Sequence, residues 1–80
     1  MIREEHLESI GFEFVKRYEH GDKDDYVTKQ YKRKNINAEI TYKNGHYALF
    51  DFYVYEQYYI ADKWSDFKQL IEILDKFKTE

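Results

Sequence analysis

The sequence predicts an α+β fold: a short N-terminal helix, a four- or five-stranded antiparallel β-sheet, and a C-terminal amphipathic helix packed on one sheet face. Three observations carry that prediction. Asn44-Gly45 separates two β-prone runs and is the preferred pair for a two-residue hairpin, in which both residues need positive φ. Residues 35–43, "NINAEITYK", alternate so that Ile36, Ala38, Ile40 and Tyr42 point one way. "SDFKQLIEILDKF" puts Phe67, Leu70, Ile71, Leu74 and Phe77 on one helical stripe, with Ile73 at its margin.

The elements follow in order. In "REEHLESIGF", His6, Leu7 and Ile10 share a helical face, the glutamates lie elsewhere, and Gly11 is placed to end the helix in a left-handed cap. "FEFVKRY" (12–18) reads as a strand with Phe12, Phe14 and Tyr18 in one phase. "EHGDKDD" (19–25) reads as a turn, and "YVTKQYKRK" (26–34) as a strand with a wet face. A tight Asn44-Gly45 turn sets Lys43 opposite His46, Tyr42 opposite Tyr47, Ile40 opposite Leu49 and Ile36 opposite Tyr53. Ala48, Phe50, Phe52 and Val54 then share the other face, which makes 47–55 an inner strand apolar on both sides. A break near Glu56-Gln57 turns the chain into a last short strand, "YYIA". Ser65 is placed as the N-cap of the final helix, Asp66 suits its positive end, and Lys76 and Lys78 suit its other end.

Eighty residues without proline, repeat or linker composition make one domain, 1–80. The absence of cysteine excludes disulfides and thiolate zinc sites. The first residues are too charged for a signal peptide, and no run approaches the ~20 apolar residues that span a bilayer, so the expected setting is cytoplasmic, without membrane contact. The net charge of −3 is unevenly spread: residues 26–46 are basic and both flanks are acidic. A pI near 5.6 argues against a dedicated nucleic-acid binder.

Catalytic chemistry has little to stand on. His6, His20 and His46 fall in separate elements without metal-ligand spacing, and Ser9 and Ser65 read as helix-end residues. Counted as an EF-hand from Asp22, the acidic turn would have Val27 and Arg33 where calcium needs Gly and Glu. No catalytic residue, metal or cofactor is assigned, and the chain reads as non-enzymatic.

Binding is the stronger reading. "YALFDFYVYEQYY" holds more rings than a small core can bury, and tyrosine offers large rigid contact area at low entropic cost. Tyr53, Tyr55, Tyr58 and Tyr59, with the acids Asp51, Glu56 and Asp62, are the candidate partner-binding residues. They suit a basic patch on another protein or, through the rings, a second copy of the chain. The alternative is a nucleic-acid-binding module using Lys29, Lys32, Arg33 and Lys34 with Tyr31 between them.

Two resemblances bear on these readings. "GHYALFDF" resembles the aromatic signature strand of RNA-recognition motif domains, whose rings stack bases on an open sheet. His46 is an extra residue against that pattern, Leu49 and Phe50 are exchanged, and "RYEHGDKDDYV" leaves no room for the long helix that family places between its first strands. As a whole chain, with ten Lys to three Arg, abundant Tyr and no Pro or Cys, the sequence resembles the small orphan proteins of bacteriophages and mobile elements. These are similar to inhibitors of bacterial immunity of the anti-CRISPR and anti-restriction type. The resemblance implies a host protein as partner, a nuclease or sensor of a defence system in the host cytoplasm, inhibited by occlusion of its surface.

Overall fold

A computed structural model of the chain describes residues 1–20 and 25–77, with side chains as far as Lys76. The order is α1 (Glu4–Ser9), β1 (Glu13–Glu19), β2 (Tyr26–Arg33), β3 (Ile36–Lys43), β4 (His46–Val54), β5 (Gln57–Ile60) and α2 (Trp64–Phe77). The strands form one five-stranded antiparallel sheet in chain order, and both helices contribute to a core on one face. The α+β prediction holds, with five strands. Asp22, Asp24 and Lys78 lie outside the described residues.

α1 stops where its sequence says it should. Gly11 has φ +96°, the Gly11 N–H donates to the Glu8 carbonyl and the Phe12 N–H to the Leu7 carbonyl, the paired bonds of a Schellman cap. Leu7 and Phe12, which flank that cap, are both buried. The turn at Asn44 (φ +53°) and Gly45 (φ +83°) has the doubly positive geometry its sequence calls for. α2 begins at Trp64, so Ser65 sits in its first turn rather than capping it. Phe67 and Ile71 of the stripe are buried, Leu70 and Leu74 half-buried and Ile73 exposed.

Two strands depart from the expected phase, each through a bulge. In β1, Phe14 pairs with Tyr31 and Lys16 with Gln30, leaving Val15 unpaired. Phe12 is therefore core, Phe14 is an exposed edge residue, and Tyr18 points to the opposite face of the sheet. In β4, Tyr42 faces Tyr47 as expected, but Thr41 faces Leu49, and Ala48 is the extra residue. Beyond it every partner changes: Ile40 meets Phe50, Ala38 meets Phe52 and Ile36 meets Val54. A one-residue slip exchanges the faces of a strand. Phe50 and Phe52 thereby join the core under Phe67, and Leu49, Asp51 and Tyr53 turn to the far face.

A polar knot ties α1 to the sheet. Glu4 Oε1 accepts from the Tyr31 hydroxyl (2.5 Å), and Glu4 Oε2 accepts from the Tyr42 hydroxyl (2.8 Å) and from Lys29 Nζ (3.1 Å). Burial alone would raise the Glu4 carboxyl, but these three donors outweigh it and hold its pKa below the ordinary glutamate value. Burial and the Glu4 charge push both phenols upward. His6 adds a second tie, since its ring stacks on Trp64 of α2 at 4.8 Å.

Candidate functional site

The helices cover one side of the sheet. The other side is built from alternate residues of all five strands: Lys16 and Tyr18, then Thr28, Gln30 and Lys32, Asn37, Glu39 and Thr41, Leu49, Asp51 and Tyr53, and finally Tyr58 and Ile60. One end of this open face is closed by its own side chains. His20 Nε2 and Thr28 Oγ1 are hydrogen-bonded at 2.6 Å, Thr28 is bonded to Thr41 at 2.9 Å, and Thr28 is buried. Leu49, Tyr53, Tyr58 and Ile60 remain exposed around the rest, with the Tyr53 and Tyr58 rings 5.1 Å apart on adjacent strands.

Between these groups lies a pair of carboxylates. The β4 bulge puts Glu39 directly opposite Asp51. Asp51 is only 9% exposed, and its Oδ1 is buried without a hydrogen-bond partner. Burial raises the Asp51 pKa, with the Tyr58 phenol acting against the rise. Burial and the Asp51 charge raise that of Glu39, with the Tyr18 phenol, His20 and Lys16 acting against it. Gln30 Nε2 also donates to Glu39 Oε2, at 3.3 Å. Among the described residues, no group of three or more potential metal ligands is gathered.

This arrangement makes Asp51 a liability to the fold at neutral pH. Its folded pKa lies above the ordinary 3.8, so it costs nothing below that value. The cost grows as pH rises through the raised folded value and the buried carboxyl ionises. Asp51→Asn, which removes the buried charge and offers Glu39 an amide donor, is therefore expected to stabilise the chain by about 1 kcal/mol at pH 7, the net worth of one hydrogen bond. The gain should vanish near pH 3. Urea denaturation of both proteins at the two pH values checks this, and a variant less stable at pH 7 would contradict it.

The structure separates the expected site residues. Asp51, Tyr53 and Tyr58 share the open face. Tyr59 points to the helix side, where it stays exposed and its ring stacks on Phe52 at 5.3 Å. Asp62 follows β5 and acts on the buried Tyr47 phenol. Tyr55 and Glu56 form the β4–β5 turn, where Tyr55 adopts φ +58° and its hydroxyl accepts from Asn35 Nδ2 at 3.2 Å. Glu39, Tyr18, Leu49 and Ile60, which are not among the expected site residues, complete the face. A register with the bulge would have found Glu39, because it alone places the two acids side by side.

The basic strand is largely committed to the fold. Tyr31 is 2% exposed and bonded to Glu4, so its ring cannot stack on a base. Lys29 is paired with Glu4, Arg33 grips Asp75 with two bonds of 3.1 and 2.8 Å, and Lys34 lies 3.7 Å from the same carboxylate. Lys32, exposed on the open face, stands apart from these pairs among the described residues.

No described helix is long and apolar enough to cross a membrane. The chain matches no protein-family model, no curated protein and no solved structure.

Proposed function

We propose that this chain is a non-enzymatic protein-binding domain that docks its open sheet face on a basic surface of a partner. We further propose that it works as a phage-type inhibitor of a bacterial defence nuclease or sensor. The observation that carries the docking reading is the face itself: Leu49, Tyr53, Tyr58 and Ile60 stay exposed around Glu39 and Asp51 while both helices pack on the other side. Exposed apolar groups clustered with tyrosine are what protein interfaces use, and acids beside them speed encounter with a basic surface. The inhibitor reading draws on the resemblance to small phage proteins. The nucleic-acid alternative is less well supported, because Tyr31, Lys29 and Arg33 are engaged within the fold.

A photo-cross-linking residue at Tyr53, in a chain expressed in defence-positive bacteria, tests the docking face. Phage plating on the same cells tests inhibition. Plating should rise, and the cross-linked protein should belong to the defence system. Tyr58→Ala is expected to weaken capture by about 2 kcal/mol, roughly 30-fold, with an unchanged thermal midpoint. Unchanged capture by Tyr58→Ala, or cross-links obtained only from the helix side, would remove the open face as the docking surface.

A further inference from the structure

Resting on the docking reading above, we infer that the Glu39–Asp51 pair, walled by Tyr53 and Tyr58, is the seat for an arginine side chain of the partner. The pair is incomplete as it stands. Two carboxylates meet across adjacent strands, where like charges repel. Gln30 answers Glu39, but Asp51 Oδ1 is buried with no partner of its own. Lys16, which shares the face, lies over the Tyr18 ring at 5.3 Å. No described Lys, Arg or His forms an ion pair with either acid. Burial raises the pKa of both acids, and the Asp51 charge adds to the rise at Glu39.

The surroundings choose among cations. Tyr53 and Tyr58 pair across β4 and β5 one step along from Asp51, which itself faces Ile60. Their rings lie 5.1 Å apart and touch each other, so a cation bound at the acids meets this ring pair at its side. A guanidinium stacks on such rings, sheds water more readily than an ammonium, and can offer parallel N–H bonds to two carboxylates at once. A lysine ammonium would reach the acids as a hydrated point charge and gain less from the rings. Tyr58, on the four-residue edge strand β5, is the more exposed of the two walls.

The test is an NMR titration of the full chain with the blocked peptide acetyl-Gly-Arg-Gly-amide, against matched peptides carrying lysine or citrulline. Arginine should move the Asp51 and Glu39 carboxyl signals and the Tyr58 ring signals saturably, with Kd on the order of 1 mM for so small a probe. Lysine should bind about fivefold more weakly and the uncharged citrulline not measurably. Asp51→Asn and Glu39→Gln should each weaken the arginine response about tenfold, and their amide spectra report independently that the fold is kept. An equal response to lysine or citrulline, or an arginine response untouched by both variants, overturns the assignment. If arginine fails while a partner still cross-links at Tyr53, the seat falls and the docking face stands. If cross-linking from Tyr53 fails, the docking reading falls and takes the partner's arginine with it.

Discussion

Phe67→Ala is expected to cost about 3–5 kcal/mol, the usual range for deleting a buried ring. An 80-residue chain has roughly 4–12 kcal/mol of stability to lose, at 0.05–0.15 per residue. Phe67 is 1% exposed and meets Phe12 at 5.8 Å, Phe50 at 4.9 Å, Phe52 at 4.8 Å and Trp64 at 6.0 Å. Those rings come from the α1–β1 link, β4 and α2 itself, so no single shift can refill the cavity. Urea denaturation should show the midpoint falling by about a quarter or more, with Phe67→Leu much milder. A loss below about 1 kcal/mol would mean that α2 does not hold the sheet as described.

Glu4→Ala should be the most damaging change of a charged residue, at about 2–3 kcal/mol. It leaves the buried Tyr31 hydroxyl, the Tyr42 hydroxyl and Lys29 Nζ without their shared acceptor. Glu4→Gln should lose less, since its carbonyl oxygen still accepts. The pH dependence distinguishes this acid from Asp51. The folded pKa of Glu4 is depressed below 4.5, so its contribution is fully present above that value and is lost as pH falls through the folded one. Asp75 has the same sign, chiefly through its hydrogen bond from Arg33, whereas Asp51 and Glu39 have the opposite sign. Acid titration should therefore unfold the wild type more steeply than Glu4→Gln below about pH 4. Parallel acid limbs for the two proteins would place Glu4 outside the knot.

Sequence pattern was enough for the features that local chemistry decides. Asn44-Gly45 and Gly11 have few alternatives to the backbone they adopt, and the α2 stripe has one apolar side. Residues 47–55 differ, because either set of alternate residues could face a core: Leu49 with Tyr53, or Phe50 with Phe52 and Val54. Only packing against Phe67 chooses, and the unpaired Ala48 makes the choice possible. That bulge hid the Glu39–Asp51 pair, so the part of the site carrying most of its chemistry was the least legible. Lys34 and Tyr55 hid in the same way: both sit at positive φ in tight turns, where side chains of their size give no warning. Glu4 lies off the apolar face of its helix, and nothing in its neighbours announces three donors arriving from β2 and β3.

The strand order also shapes how the chain is made. Because β1 to β5 pair in sequence, each hairpin needs only short-range closure, and the sheet can form as the chain emerges from the ribosome. α2 comes after all five strands. Until it emerges, Phe50 and Phe52 lack their Phe67 cover, and the core side of β4 has only Ile2, Leu7 and Phe12 from outside the sheet to pack against. The interval between finishing β5 and releasing α2 is thus when the nascent chain is most exposed to wrong partners. The four-residue length of β5 and the bulge in β1 then limit how far another strand can extend either edge.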